Sequence, residues 1–165
     1  MKLDAIYSTN SIVFAGMLSK KARYAFRALF ALAHHGSATP MMIADIAGHA
    51  SVPRKFLEQI LLDLKRRGIV TSLRGKHGGY VLGRPPEKIA FAEIIRSIDG
   101  PLALTPCVSA TAYRRCDDCV SETTCAIRKV LLTVRNATAD ILESHSLADA
   151  LPTKPVRAPR RKSRR

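Results

Sequence analysis

Four cysteines, the only ones in the chain, lie together in one polar stretch, CVSATAYRRCDDCVSETTC. Their spacing is C-x8-C-x2-C-x5-C. Soft thiolates clustered in this way suit zinc or an iron-sulfur centre. The predicted metal ligands are Cys107, Cys116, Cys119 and Cys125.

Two other interpretations of these thiols compete with an iron-sulfur centre. A structural zinc site usually has two close pairs of ligands, whereas only Cys116 and Cys119 form such a pair. A thioredoxin-like redox pair is disfavoured because Asp117 and Asp118 between the two thiols should raise their pKa. No histidine is predicted as a ligand, since all five lie outside the stretch: His34, His35, His49, His77 and His145.

Length and composition predict one folded domain with extensions. The 165 residues are 47% hydrophobic and 24% charged, and the net charge of +14 favours a polyanion such as nucleic acid or an acidic membrane surface. No run approaches the roughly 18 apolar residues that span a bilayer, and the first residues do not resemble a secretory signal. We therefore expect a cytoplasmic protein, in which clustered thiols bind metal more often than they form disulfides.

Helical patterns dominate the first part of the chain. The segment MLSKKARYAFRALFALAHHG predicts a first helix over residues 17–36. Thr39 as a cap, followed by Pro40, predicts a second helix that ends near Gly48.

A third helix is predicted over residues 53–68, with Ser51 and Pro53 as its start signal. Its opposite face is polar and basic. The apolar face comprises Phe56, Leu57, Ile60, Leu61 and Leu64.

The period then changes to that of short strands. IVTSL and GYVLG, joined by the glycine-rich RGKHG, predict a β-hairpin, and FAEIIRSIDG predicts a fourth helix. A last helix is predicted over residues 125–144, with an apolar stripe that needs a partner. The final PTKPVRAPRRKSRR is too basic and proline-rich to order itself.

Helices followed by a basic two-stranded ribbon are typical of a winged helix-turn-helix protein. A basic helix alone is more often a solvated face, but a charged, glycine-rich hairpin favours DNA binding. On the third helix the predicted DNA contacts are Ser51, Arg54, Lys55 and Gln59. On the hairpin they are Arg74, Gly75, Lys76, His77, Gly79 and Tyr80.

From Met17 to about Leu151 the chain resembles the IscR and NsrR family of dimeric winged-helix transcription regulators. The resemblance is carried by SKKARYAFRAL, by FLEQILLDLKRRGIVTSLRGKHGGYVL and by the cysteine cluster after the following helix. It implies a homodimer that binds operator DNA through a recognition helix over residues 51–67 and a wing over residues 74–80. It also suggests that Met17 is the native start.

Members of that family commonly bind an iron-sulfur cluster through three cysteines at this place. Cys119-x5-Cys125 matches the last two ligands, and Cys107 stands where the first one does, so Cys116 is extra. Some relatives place a histidine three residues after the last cysteine, where this chain has Arg128. The resemblance thus implies a 2Fe-2S or 4Fe-4S cluster of undecided type, with zinc as the alternative.

The predicted fold is mainly α with a small β-hairpin wing. The predicted parts are an extension (1–16), a winged helix-turn-helix domain (17–100), a cysteine cluster loop (101–124), a dimerisation helix (125–151) and a basic tail (152–165). The predicted function is a DNA-binding transcription regulator, a repressor, whose operator binding responds to iron, redox state or nitric oxide through the cluster.

Other functions remain open at this point. They are a DNA-binding protein with a purely structural zinc site, a thiol oxidoreductase, and an adaptor for RNA or a membrane surface. An enzyme is not expected, because no nucleophile-base pair, nucleotide-binding loop or carboxylate dyad is evident.

Overall fold

The computed structural model describes residues 18–36, 39–75 and 78–151. The predicted extension, the basic tail, and the wing residues Lys76 and His77 lie outside the described residues. In chain order the elements are α1 (Lys20–His35), α2 (Ile43–Ala50), α3 (Arg54–Arg66), β1 (Val70–Leu73), β2 (Gly79–Leu82), α4 (Phe91–Ile98) and α5 (Ala126–Ser144). Short 3-10 turns cover Pro86–Lys88, Pro106–Val108 and Ala148–Ala150.

Helices α1, α3 and α4 enclose one aliphatic core. We call these three helices, together with α2 and the hairpin, the head. Ser19 caps α1 by accepting a hydrogen bond from the backbone N–H of Ala22, and Gly36 ends the helix with φ 84°. The fully buried large side chains of the core include Leu29, Ile46, Leu57, Ile60, Leu61, Leu64, Ile69, Ile89, Ile94 and Leu147. Burial of these aliphatic groups is the main stabilisation of the head.

Helix α2 begins at Ile43, later than predicted, and Thr39 and Pro40 do not cap it. The preceding Met41 is extended instead, because it exchanges two backbone hydrogen bonds with Tyr80 of β2, at 3.0 and 2.9 Å. This pairing prevents the helix from starting at Thr39 and Pro40 as predicted. It also fixes the wing to the residues just before α2.

The start of α3 also differs from the prediction. Ser51 has a left-handed conformation, with φ 51°, and closes α2, whereas Pro53 takes the position before the first turn of α3. Phe56 was assigned to the apolar face but is 60% exposed, unlike the fully buried Leu57 and Leu61. A single aromatic residue at the edge of a helical stripe fits either face, so spacing alone could not place it.

Strands β1 and β2 pair antiparallel, with Val70 opposite Leu82 and Leu73 opposite Gly79. This hairpin follows three helices in the chain and is the predicted wing. The mainly helical, winged helix-turn-helix fold is therefore confirmed. The part of the chain that the structure describes has no helix long and apolar enough to cross a membrane.

Helix α5 runs from the cysteine loop back to the head. Its far end continues into a segment in which Leu147 is fully buried and donates its N–H to the Ile89 carbonyl at 2.7 Å. Phe91 donates to the His145 carbonyl at 2.9 Å, and Arg96 pairs with Glu143. The end of α5 is therefore attached to the head of its own chain.

Candidate DNA-binding surface and cysteine loop

The predicted contacts on α3 lie on its exposed side. Arg54, Lys55 and Gln59 are all exposed, and so is Glu58, which the prediction left out. Arg54 pairs with Glu58 at 3.3 Å, and Gln59 donates to Asp63 at 3.1 Å. Exposed pairs of this kind contribute only about 0–1 kcal/mol to the stability of the fold. The side chains can therefore leave these pairs at little cost to bind DNA.

The serine at the helix-turn-helix corner stands apart from this row. Ser51 is exposed in the turn between α2 and α3, and its backbone N–H is bonded to the Gly48 carbonyl at 3.3 Å. Its hydroxyl is positioned by the turn and not by a helix N-terminus. Contact of Ser51 with DNA stays a prediction.

An aromatic pair that the sequence did not single out borders the α3 surface. The rings of Tyr24 on α1 and Phe56 on α3 meet edge to face, with 6.4 Å between their centroids. The ammonium of Lys20 lies 5.6 Å from the Tyr24 ring. The exposed Phe56 side chain is of a type that contacts thymine methyl groups in a major groove.

Helix α1 is tied to α3 by a charged contact beneath this surface. Lys21 donates to Asp63 at 2.6 Å, and Arg66 approaches the same carboxylate at 3.3 Å. The hydrogen bond from Lys21, together with the nearby cations, holds the pKa of Asp63 below its ordinary value. The contact links α1 to α3 at the edge of the buried core.

The wing is held against the head from two sides. Lys65 at the end of α3 donates to the Ser72 hydroxyl at 2.6 Å, and Tyr80 pairs with Met41. Gly79 approaches Met41 so closely that an added Cβ would lie 2.4 Å from the Met41 carbonyl oxygen. Gly79 and the half-buried Tyr80 therefore position the wing, and their direct contact with DNA stays a prediction.

The described part of the wing tip is exposed. Arg74 and Gly75 are both open to solvent, and Gly75 has φ 110°, a backbone conformation that glycine tolerates best. The tip thus presents a cation beside a tight turn. This arrangement is suited to a phosphate or a minor groove.

The cysteine loop brings two of its four thiols together. Cys107, 5% exposed, lies in the 3-10 turn, with its sulfur 3.4 Å from the Thr105 hydroxyl. The half-buried Cys116 is near enough to Cys107 for each thiol to shift the pKa of the other. We call Cys107 and Cys116 the thiol pair.

The two sulfurs of the thiol pair differ in acidity. Hydrogen bonding from Thr105, the contact with Cys116 and the charge of Arg128 lower the pKa of Cys107. Hydrogen bonding to Cys107 and burial raise the pKa of Cys116. Negative charge in the pair is therefore favoured on the Cys107 sulfur.

The other two cysteines hold different positions. Cys125 caps α5, its sulfur accepting a hydrogen bond from the Arg128 N–H at 3.4 Å. Cys119 lies in a turn whose backbone N–H donates to the Cys116 carbonyl at 3.2 Å. Arg115 donates to the Cys119 carbonyl at 2.8 Å.

Four thiols are the donor set that iron-sulfur clusters and zinc use, so the chemistry of the loop fits such a group. The positions of the four thiols, however, do not yet form a metal site. Across residues 18–36, 39–75 and 78–151, no three His, Cys, Asp or Glu side chains are grouped so that they could hold a metal ion. Ligation by three cysteines requires Cys119 and Cys125 to move relative to the thiol pair.

Arg128 stands where the resemblance led us to look for a histidine. Its guanidinium is close enough to affect both the Cys107 thiol and the Tyr113 phenol, which donates to Glu122. Its Nε is buried and has no hydrogen-bond partner within the described part of the chain. A buried guanidinium nitrogen without a partner is unusual in folded proteins.

The loop touches both α5 and the head. Arg135 on α5 donates its Nε–H to the Val108 carbonyl at 3.1 Å. On the other side, a cavity of about 470 Å³ separates the loop from the head, between Thr111 and Ala112 of the loop and residues that include Arg67 and Arg96. Thr111 and Ala112 are thus exposed beside the head, unlike the buried Val108 and Ser109.

Helix α5 exposes an apolar face along most of its length. Ile127, Val130, Val134 and Ile141 are each 42–69% exposed. Their spacing of three, four and seven residues is that of a coiled-coil seam. An exposed seam of this length is typical of a surface that binds another helix.

Comparisons with known proteins agree with this geometry. The family model described as Rrf2, Iron-dependent Transcriptional regulator, matches residues 18–153. An rrf2-like HTH-type transcriptional regulator of Rhodobacter capsulatus is 42% identical over 138 residues, which cover 82% of this chain and 92% of that protein.

Two solved structures are similar in fold. CymR, the global cysteine regulator of B. subtilis, has a TM-score of 0.64 and 30% identity over 80% of this chain and 93% of its own. T. potens IscR has a TM-score of 0.60 and 30% identity over 81% of this chain and 85% of its own. These relatives are transcription regulators and not enzymes, as the sequence predicted. The chain belongs to the Rrf2 family of iron-dependent transcriptional regulators and is a DNA-binding regulator of the IscR type.

Proposed function

We propose that this regulator binds operator DNA as a homodimer and that an iron-sulfur cluster in the cysteine loop sets its affinity. One observation carries the proposal: the loop and the exposed apolar face share helix α5. Cys125 caps the helix, and Ile127, the first residue of the seam, follows two positions later. A change in how Cys125 is bonded therefore acts directly on the start of the seam.

The seam supports a dimer of two α5 helices. Ile127, Val130, Val134 and Ile141 are too exposed to stabilise a monomer, and burial against a second copy removes them from water. Val130→Glu should dissociate the dimer, whereas Asn136→Glu, an exposed position off the seam, should not. Sedimentation velocity measures the difference, and a Val130→Glu protein that stays dimeric would refute this interface.

Cys107, Cys119 and Cys125 would hold the cluster, and Cys116 would be available as a fourth ligand. When bound, a cluster supplies a redox-active centre whose charge and stability depend on the surrounding protein. Arg128 would offset part of the negative charge of the thiolates, since its guanidinium already acts on Cys107. Arg115, which donates to the Cys119 carbonyl, would position that ligand.

Coupling to DNA would use the two ends of α5. The helix is about 28 Å long, from 19 residues at 1.5 Å each. Its first turn lies at the loop, and its last turn is attached to the head through Leu147 and the Arg96–Glu143 pair. A shift at Cys125 changes how α5 meets its partner helix, and the attached heads then change their separation on DNA.

The DNA-binding half of the proposal uses α3 and the wing. Gln59 and Arg54 lie on the exposed face that a major groove would admit, and Arg74 at the wing tip would meet the backbone or minor groove. The rest of the proposed contact set comprises Ser51, Lys55, Gly75, Lys76, His77, Gly79 and Tyr80. The signal would be iron supply, redox state or nitric oxide, and the regulator would repress its targets.

The test is the absorption spectrum of protein purified without oxygen, with iron, sulfide and zinc assayed on the same sample. The proposal predicts charge-transfer bands together with iron and acid-labile sulfide. Cys119→Ser should lose the bands, whereas Ser121→Ala, a matched change in the same loop, should keep them. A colourless protein with stoichiometric zinc would contradict the cluster and favour a structural zinc site.

A further inference from the structure

An exposed phenylalanine on α3 is the part of the DNA-facing surface that polar and charged contacts do not explain. Phe56 is 60% exposed, whereas the next residue, Leu57, is fully buried. A single exposed apolar side chain is ordinary on a protein surface, so exposure alone assigns nothing to Phe56. Its position on α3 and its support from α1 are what distinguish it.

Phe56 lies in the first turn of α3, which begins at Arg54. In a helix-turn-helix protein, the first residues of the recognition helix are the ones that reach base edges. Arg54 and Lys55 of the same turn are exposed cations, which favour approach to the phosphate backbone. Gln59, three residues after Phe56, is its neighbour on the surface of the helix. Phe56 therefore belongs to the surface that would enter a major groove.

The Phe56 ring is supported from the side of α1. Tyr24 meets it edge to face, with 6.4 Å between the ring centroids and an angle of 69° between the ring planes. Tyr24 is itself packed against the core of the head, and Lys21 ties α1 to Asp63 of α3 at 2.6 Å. A supported ring has less conformational freedom to lose when it binds, so its contact with a ligand is more favourable.

We propose that Phe56 reads the 5-methyl group of a thymine in the major groove of the operator. A benzyl side chain has no hydrogen-bond donor or acceptor, so it cannot read the polar edge of a base. The thymine methyl is the apolar group that the major groove presents, and phenylalanine is one of the side chains that contact it. The inference rests on the DNA-reading half of the proposed function and needs neither the cluster nor the dimer of α5 helices.

The place of this thymine follows from the place of Gln59. Side chains three residues apart on a helix have their β-carbons about 5–6 Å apart, and base pairs are stacked about 3.4 Å apart. The thymine should therefore lie within about two base pairs of the base pair that Gln59 reads. We call these positions the Gln59 neighbourhood.

The test combines a change in the protein with the removal of one methyl group from the DNA. The full-length protein, purified without oxygen, first selects a duplex from a random pool, and Gln59→Ala locates the base pair at which selection relaxes. Each thymine of the Gln59 neighbourhood is then replaced in turn by deoxyuridine, which removes the methyl and keeps every hydrogen-bonding group. Anisotropy measures the Kd of the wild type and of Phe56→Ala for every duplex.

At one or more of these thymines, deoxyuridine should weaken binding of the wild type by about fourfold, the usual effect of losing one buried methyl group. The same replacement should leave the affinity of Phe56→Ala unchanged. Phe56→Leu keeps an apolar side chain and should retain part of the effect. Leu62→Ala removes another exposed apolar side chain of α3, beyond its first two turns, and should retain all of it.

A purely structural role of Phe56, as a support for Tyr24, would have a different signature. Phe56→Ala would then bind every duplex more weakly, with the same loss on deoxyuridine as the wild type, and circular dichroism checks that each variant is folded. That result, or a selected duplex without thymine in the Gln59 neighbourhood, would overturn the inference and leave DNA reading by Gln59 intact. A wild-type protein that selects no duplex would instead refute the DNA-reading half of the proposed function, and this inference with it.

Discussion

The head and the cysteine loop are stabilised in different ways. The head buries a continuous set of aliphatic side chains between α1, α3 and α4, and its wing is fixed by backbone pairing. In the loop, burial is confined to Cys107, Val108 and Ser109, while Leu104 and Val120 are exposed. Hydrogen bonds, such as those from Arg115 to the Cys119 carbonyl and from Arg135 to the Val108 carbonyl, also hold the loop.

Under the proposed function, this difference would let one chain read DNA and respond to a signal. A close-packed core keeps α3 and the wing in one arrangement, because any displacement exposes apolar surface. A loop with few buried apolar contacts rearranges at low free-energy cost, which is where switching segments are usually found. Helix α5 joins the two regions, and under the proposed function it would carry a change from the loop to the head.

The largest effect should come from the core of the head. Leu61→Ala removes a fully buried side chain and should lower the free energy of unfolding by about 2–5 kcal/mol. Val120→Ala in the loop, at a side chain that is 95% exposed, should leave stability unchanged. Urea denaturation of both proteins measures the contrast, and similar midpoints would remove the distinction between the two regions.

A smaller loss is expected where the wing meets α2. Gly79→Ala places a Cβ against the Met41 carbonyl and should destabilise the wing contact by about 1–3 kcal/mol. Its operator affinity should fall while the helical signal in circular dichroism persists. Gly48→Ala, where an added Cβ meets open space in α2, is the control and should keep wild-type affinity. Unchanged DNA binding by Gly79→Ala would contradict a role for this contact in reading DNA.

Loss of a single base contact should lower the free energy of operator binding by a similar or smaller amount. Gln59→Ala should lower operator affinity by about tenfold and relax the preference at one base pair. Lys88→Ala, an exposed cation in the turn before α4, is the matched change away from the proposed surface. Binding selections from randomised duplexes compare the two proteins. Identical sequence preferences in Gln59→Ala and the wild type would exclude Gln59 as a reader.

The smallest effect should come from the contact between α1 and α3. Because the pKa of Asp63 is lowered in the folded protein, its carboxylate stabilises the fold at every pH above the ordinary pKa of aspartate. This stabilisation is lost as the pH falls through the lowered pKa. Asp63→Asn should lower the free energy of unfolding by about 1 kcal/mol at neutral pH, since Lys21 is 39% exposed and the contact is partly screened. The difference in the free energy of unfolding between Asp63→Asn and the wild type should vanish in acid. A constant difference at every pH would assign the effect to packing.

The sequence predicted the head well because its signals were redundant. Periodicity, caps and turn residues all indicated three helices and a hairpin, and the polar side chains Arg54, Lys55 and Gln59 are exposed as expected. The errors at Thr39, Ser51 and Phe56 share one cause. Each depends on a contact with another element or turn, such as the pairing of Met41 with Tyr80, that local patterns do not contain.

The cysteine loop was predicted in composition but not in arrangement. Spacing identified all four thiols, whereas the adjacency of Cys107 and Cys116 depends on how the chain between them folds. No periodic signal exists there to predict it. The placement of Arg128 beside Cys107 was equally hidden, because it depends on the rotation of α5.

The most direct test of control by the cysteine loop is an operator titration with one protein sample in two states, both kept without oxygen. A duplex selected from a random pool by the cluster-loaded protein serves as the probe, and anisotropy measures its affinity before and after removal of the cluster. Control by the loop predicts that the affinity changes by roughly 5- to 150-fold, the usual range of coupling between two sites, and that it does not change in a Cys119→Ser protein. Equal affinity of the loaded and stripped wild-type protein would contradict control of DNA binding by the cysteine loop.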